Sequence, residues 1–234
     1  MPTASPSTVP EEEVKAPASF EALLEQAPAS QRGFIREARG KIEVLKQMRD
    51  NPAWVRKEEK QGVTVMTYSD GGLNCIRGSG VMHYTPQGIF EAIESEEIAI
   101  ECDGMLEKQV VLEELAMDTQ FTYQKYKAPM FVSSRDFVML NQMHKDPDGT
   151  IYVVAYSTTH SSMPVNKGVV RAELHIGGWI LKPIGPKETQ VDYISKSDLG
   201  GSLPKALLNS IAQKQGLKPI LLQASMDKRK GTFK

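Results

Sequence analysis

The sequence predicts an α+β domain built on one antiparallel β-sheet of about nine strands, with helices at the start, middle and end of the chain. Two patterns predict it. Apolar residues recur at spacings of three and four in separate segments, the mark of one-sided helices. Between those segments lie short runs rich in β-branched residues, divided by turn-forming sequences that close hairpins. The order is helix, three strands, helix, six strands, helix, with no internal repeat.

Residues 1–17 (MPTASPSTVPEEEVKAP) are rich in Pro, Ser and Glu. They hold too little apolar surface to offset the entropy of ordering and are expected to form a disordered tail. Residues 18–29 are read as a short helical extension, with Ser19 as its cap and Phe20, Leu23 and Leu24 on its apolar side. Residues 30–230 form the main domain. Ser30 is expected to cap a longer helix whose stripe is Phe34, Ile35, Ala38, Ile42, Leu45 and Met48. Asn51-Pro52 ends it, because a residue before proline avoids helical geometry.

Two strands are expected within 54–68, split at Gln61-Gly62, and a third over 73–84 after the turn Ser69-Asp70-Gly71-Gly72. Thr85-Pro86 starts a helix, with threonine as cap, proline in the first position, and Ile89, Phe90 and Ile93 as the apolar side. Six more strands follow at 110–117, 119–127, 136–144, 151–159, 168–183 and 190–196. Ala128-Pro129 breaks the chain after the second, Asp146-Pro147-Asp148-Gly149 forms a hairpin turn, and Gly177-Gly178 marks a bulge or bend. The C-terminal segment carries two apolar stripes: Leu207, Leu208, Ile211 and Ala212, then Leu217, Ile220, Leu221 and Leu222. Gly216 and Pro219 break or kink the helix between them. Such a helix buries one sheet face. Periodicity alone leaves open whether a cavity or a solid core lies beneath it.

Composition narrows the function. The chain has 234 residues, 40% of them hydrophobic, enough for one sizeable core. A formal net charge of -1 leaves no basic footprint for nucleic acid. Cys75 and Cys102 are far apart in sequence and read as free thiols in a reducing compartment. No apolar run approaches the ~20 residues of a membrane span. Neither a myristoylation start nor a prenylation end is present. These features point to a cytosolic monomer, or to the soluble piece of a longer chain. His83, His144, His160 and His175 show no metal spacing, and Ser161 and Ser162 beside His160 lack a nucleophile elbow. Arg77-Gly78-Ser79-Gly80 reads as a bent strand, since no helix follows to receive a phosphate. No cofactor, no metal and no catalytic constellation are expected.

From 101 to 229 a series of short signatures runs in order: Glu101-Cys102-Asp103, Val111-Leu112-Glu113, Ser134-Arg135-Asp136-Phe137-Val138, Met163-Pro164, Gly168-Val169-Val170-Arg171-Ala172-Glu173, Lys182-Pro183, Ser197-Asp198-Leu199-Gly200-Gly201 and Leu203-Pro204. No single one is decisive. Together, at these spacings, they resemble steroidogenic-acute-regulatory-related lipid-transfer (START) domains, and residues 30–100 follow the family more weakly. The resemblance implies a helix-grip fold, a curved sheet wrapped around a long C-terminal helix and enclosing a lipid tunnel. It also implies an activity: non-catalytic binding of one hydrophobic lipid (sterol, ceramide-like or phospholipid) and its transfer between membranes. Such a cytoplasmic protein touches membrane surfaces during exchange. The physical sense is direct, since each CH₂ of a lipid tail left in water costs about 0.8 kcal/mol. Two other readings stay open: a sensor whose bound lipid controls a partner protein, and a helix-grip hydrolase or cyclase.

The resemblance also assigns site residues. Gln124 and Tyr193 fall where ceramide-binding members hold the ligand's amide and hydroxyls, and Asp103 falls on their glutamate. The arginine and asparagine of that set are Ala99 and Ala155 here. Gln124 and Asn141 replace the acid–arginine pair of cholesterol-type members, and the cavity arginine of the phosphatidylcholine carrier also falls on Ala99. A neutral-headed lipid therefore fits this set better than a phospholipid. Cys102 stands where the family has tryptophan, which would reshape the cavity wall. The expected cavity residues are Asp103, Gln124, Arg135, Met139, Asn141, Ser157, Leu174, Tyr193, Leu207, Leu208 and Ile211, with Met130, Phe131 and Val132 as a gate loop that meets the membrane or packs on the last helix. The plainer alternative for Gln124 and Asn141 is a solvated sheet face. Arg135 and Asp136 are read first as a structural pair fixing the loop before them, and Arg171 and Glu173 as cross-strand partners. Lys228, Arg229 and Lys230 read as a solvated run, with contact to anionic lipid heads as the alternative.

Overall fold

The computed structural model describes residues 19–128 and 132–233. The tail expected at 1–17, and Met130 and Phe131 of the expected gate, lie outside them. The chain opens with a short helix, α1 (Phe20–Gln26), whose first turn is closed by the Ser19 hydroxyl accepting from the Ala22 N–H at 3.3 Å. The long helix α2 (Ala29–Arg49) begins two residues earlier than a Ser30 cap would place it. Pro28 occupies the cap position, its ring already holding φ near the value a helix start requires, and Ser30 falls inside the first turn. Ile35, Ala38, Ile42, Leu45 and Met48 are all buried. Phe34 is 40% exposed on the flank, edge-on to Phe121 at 5.1 Å.

Three antiparallel strands follow: β1 (Val55–Lys60), β2 (Val63–Asp70) and β3 (Leu73–Met82). Helix α3 (Pro86–Glu94) starts as Thr85-Pro86 predicts, with Thr85 Oγ1 accepting from Gly88 N at 3.1 Å. A second short helix, α4 (Glu96–Cys102), was not expected, and the next strand, β4 (Leu106–Leu115), starts four residues before the expected 110. Ser95 caps it and Glu96 and Glu97 favour its N-terminal end. The remaining strands are β5 (Thr119–Tyr126), β6 (Ser134–Lys145), β7 (Ile151–Ser157), β8 (Val169–Arg171), β9 (Glu173–Gly185) and β10 (Glu188–Asp198). The sheet order is β1-β2-β3-β10-β9-β7-β6-β5-β4, with β8 off this path beside β6.

One sequence expectation for the 168–183 strand is corrected, and the bulge or bend expected at Gly177-Gly178 is narrowed to a bend. The 168–183 segment is two strands, because β8 pairs parallel with β6 whereas β9 pairs antiparallel with β7, and the chain changes neighbour at the buried Ala172. The bulge is not at Gly177-Gly178. Register slips where Lys196 and Ser197 face Ile176 and Leu174, which leaves His175 as the extra residue. The two glycines instead permit the sheet to curl: a Cβ on Gly178 would stand 2.1 Å from the Val153 carbonyl oxygen and 3.0 Å from Leu45 Cδ2.

The curled sheet has two covered faces. Tyr152 and Val154 of β7 pack with Ile42 and Leu45 of α2, while Ile151 and Val153 pack with Ile89 of α3 on the other side. That alternation is the period of two expected of a strand buried on both faces. The chain ends in α5 (Lys205–Gly216) and α6 (Lys218–Asp227), broken at Leu217 where Gly216 and Pro219 predict it. At the break, backbone meets backbone. A Cβ on Gly78 would fall 2.1 Å from the Gly216 carbonyl oxygen, and one on Gly216 would fall 2.4 Å from Val65 Cγ1. Leu222 and Met226 of α6 then pack against Met82, Trp179 and Tyr193 on the concave face.

Candidate ligand cavity

Between the concave face and the two C-terminal helices lies a cavity of two communicating chambers, the outer of about 130 Å³ and the inner of about 150 Å³. Asp103, Gln124, Met139, Leu174 and Tyr193 border both. Val132, Arg135, Leu207 and Ile211 border the outer chamber, and Asn141 the inner one. Two expected residues stand apart. Ser157 borders neither chamber, because its hydroxyl is turned to the backbone and accepts from Leu174 N at 2.8 Å. Leu208, one position round the helix from Leu207, is 37% exposed and points away.

The polar groups in the wall form three short hydrogen-bonded strings. Gln124 Nε2 donates to Gln109 Oε1 at 2.6 Å, and the Tyr126 hydroxyl donates to Gln124 Oε1 at 2.9 Å. Asn141 Oδ1 accepts from the Thr122 hydroxyl at 3.3 Å. Tyr193 donates to Gln215 Oε1 at 2.6 Å, and Gln215 Nε2 reaches Asp103 Oδ2 at 3.5 Å. Lys218 of α6 borders both chambers, its ammonium 4.8 Å from the centre of the Tyr193 ring. Burial pulls that ammonium downward, but Tyr193, Tyr126 and Asp103 outweigh it and the net shift is upward. Burial pushes the Tyr126 phenol and the Cys102 thiol up. Cys102 stands in the inner wall, its thiol donating to the Ser225 hydroxyl at 3.4 Å.

Sequence reasoning missed Lys218, Gln215, Gln109 and Tyr126. A signal for the first two exists. Leu207, Ile211, Gln215, Lys218 and Leu222 are spaced four, four, three and four apart, one helical stripe with two polar members. A lysine and a glutamine inside an apolar stripe are out of place unless they face something polar.

The charged pairs are partnered differently from the sequence reading. Neighbours on a strand point to opposite faces, so Arg135 and Asp136 diverge. Arg135 is spent on the carbonyls of Ser133, Leu199 and Gly200 at 2.5, 3.3 and 3.2 Å, where burial pulls its pKa down. The buried Asp136 accepts two bonds from Arg171, at 2.7 and 3.0 Å, across the parallel β6–β8 pairing. Glu173 has His175 beside it at 3.4 Å instead of Arg171. The C-terminal basic run is not simply solvated. Arg229 reaches Glu97 at 2.6 Å and Glu101 at 2.7 Å, and Lys228 also binds Glu101, tying the end of α6 to α4. Their hydrogen bonds hold the Glu101 carboxyl down to about 2.

A Ser162–His160–Glu113 string lies outside both chambers, at 2.8 and 3.2 Å. The Ser162 N–H and hydroxyl both address His160 Nδ1 across two residues, which is the geometry of a local turn. Among the described residues no group of His, Cys, Asp and Glu is placed to hold a metal ion, and no helix is long and apolar enough to cross a membrane.

A curled antiparallel sheet gripping C-terminal helices over a cavity of apolar wall and sparse polar groups defines a helix-grip binding domain. The chain belongs to the START domain family, whose model matches residues 35–218. The steroidogenic acute regulatory protein, mitochondrial, of Gallus gallus is 31% identical over 105 residues, covering 43% of this chain and 37% of that protein. StAR-related lipid transfer protein 5 of Mus musculus is 28% identical over 182 residues, covering 71% of this chain and 82% of that protein. The solved structure of human StAR-related lipid transfer protein 5 shares the fold with a TM-score of 0.77 at 21% identity, covering 85% of this chain and 99% of that one.

Proposed function

We propose that this protein binds one lipid in the cavity beneath α5 and α6 and transfers it between membranes without chemical change. The observation that carries the reading is the cavity wall itself. Apolar side chains such as Met139, Leu174, Leu207 and Ile211 enclose a short series of hydrogen-bonding groups at Gln124, Tyr193 and Asp103. A lipid leaving a bilayer needs that combination, a dry surface for its tail and fixed polar partners for its head. The lid is α5, with the segment carrying Val132 beside it, and Met130 and Phe131 are proposed to touch the membrane during exchange. The protein is taken to act in the cytoplasm, at membrane surfaces only while loading or releasing.

Native mass spectrometry of the purified protein, followed by extraction and lipid identification, tests this. One co-purifying lipid at one-to-one stoichiometry is expected, together with transfer of a labelled lipid between donor and acceptor vesicles. An empty protein that also takes up no lipid from mixed vesicles would sink the reading.

A further inference from the structure

We propose that the lipid held here carries a single anionic group, a carboxylate or a phosphate monoester, and that Lys218 on the covering helix selects it. This rests on the lipid-carrier reading above. Lys218 borders both chambers, and among the described residues its ammonium makes no ion pair; its neighbour is the face of the Tyr193 ring at 4.8 Å. The one carboxylate beside it in the outer chamber, Asp103, is already engaged. Its Oδ1 accepts from Met105 N at 3.2 Å and its Oδ2 from Gln215 Nε2 at 3.5 Å.

The charge along the cavity is polarised. Among the described residues, the outer chamber is bordered by Lys127, Arg135, Lys214 and Lys218 against Asp103 alone. Arg135 brings its charge without any carboxylate, since its donors are satisfied by backbone carbonyls. Behind the inner chamber, sharing Glu94 and Asn141 with it, opens a cleft bordered by Glu94, Glu114 and Asp118 and, among the described residues, by no cation. A cavity basic at one end and acidic at the other orients a guest. The anion sits at Lys218, and the tail runs inward past Trp179 and Leu222. A neutral head such as a sterol hydroxyl would leave the ammonium, whose charged neighbour is Asp103, without a directly hydrogen-bonded counter-charge. An anionic head supplies that charge through a short charge-assisted hydrogen bond. This replaces the expectation of a neutral head, which followed from the alanine at position 99; the cation enters from α6 instead of from α4.

The test compares three ligands with one tail: oleate, oleoyl lysophosphatidate and oleyl alcohol. Affinities are measured for the wild-type protein, Lys218→Met and Lys218→Arg. A charge-assisted bond predicts about tenfold or greater preference for at least one anionic ligand over the alcohol in the wild type. That preference collapses in Lys218→Met and returns in Lys218→Arg. Which anionic ligand gains most separates carboxylate from phosphate. Inorganic phosphate added alone distinguishes a lipid site from a bare anion site: displacement of oleate by phosphate at comparable concentration would overturn the lipid assignment. Equal binding of alcohol and anions by the wild type, which needs no variant to fold, overturns the proposal, as does a preference that survives in Lys218→Met. In those cases binding of the alcohol leaves the carrier reading standing. If none of the three, nor cholesterol nor phosphatidylcholine from vesicles, is bound, the carrier reading falls with it.

Discussion

The Tyr193 hydroxyl donates a 2.6 Å hydrogen bond to Gln215 Oε1, which ties the last strand of the sheet to the helix that covers the cavity. The end of α5 that carries Gln215 cannot swing away from β10 while this bond holds. Tyr193→Phe deletes this bond while the ring keeps its packing on Trp179, at 4.8 Å between centres. A neutral hydrogen bond of this kind is worth about 1 kcal/mol, so the open lid should gain about fivefold in population. Hydrogen exchange over 205–216 is expected to accelerate, and vesicle-to-vesicle transfer to rise where opening limits it. Unchanged exchange in α5 would mean that the bond is no latch.

The sequence showed this latch only in part, for a physical reason. The stripe through Leu207 and Ile211 was visible because apolar periodicity reports what is buried, and Tyr193 because the family resemblance marks its position. Gln215 and Lys218 lie on the same stripe and were passed over because they are polar. Gln109 and Tyr126 were hidden differently. Gln109 faces Gln124 only because β4 slips register between Leu106 and Lys108, and a slip leaves no mark in composition. The Asp136–Arg171 bond depends on a three-residue parallel strand 35 positions away, beyond the reach of local pattern. Helices, hairpins and the break near Gly216 were legible because caps, prolines and turn residues act locally.

Gly78 is a point where the lid touches the sheet without side chains between. Gly78→Ala would put a methyl group 2.1 Å from the Gly216 carbonyl oxygen, with Gly216 itself pressed on Val65. Neither backbone can yield without moving α5 and α6 off β3. The substitution is expected to cost about 3 kcal/mol, the upper end for overpacking, and to speed exchange over 205–227. Thermal melting and hydrogen exchange of the same sample check both. A variant as stable as wild type would show that this contact is looser than its geometry.

Asp136 is 1% exposed and its carboxylate is held by both Arg171 bonds. Asp136→Asn leaves the guanidinium half-buried beside a neutral amide. A loss of about 3–5 kcal/mol is expected in urea unfolding, because breaking a buried pair strands a charge. Replacing both partners, with Asp136→Leu and Arg171→Met together, should recover much of that loss, since the pair as a whole contributes little beyond its own desolvation. A double variant no better than the single one would mean that the pair also aligns β8 on β6.

His144 sits on β6 with its Nε2 2.9 Å from Asp146 Oδ1 and about a quarter of its side chain exposed, at 27%. Burial, then the positive charge of Arg39, pulls its pKa below the usual 6.5, against the opposing pull of Asp146. The folded state therefore takes up its proton later than the unfolded chain does. Above pH 6.5 both states carry a neutral ring and no stability depends on it. As pH falls below 6.5 the unfolded chain gains a proton that the folded one resists, so stability declines until the folded pKa is passed. His144→Gln keeps a donor for Asp146 and removes the titration. The melting temperature of wild type should fall more steeply than that of the variant between pH 7 and pH 5, while other histidines titrate alike in both. Parallel curves would assign the acid sensitivity to groups other than His144.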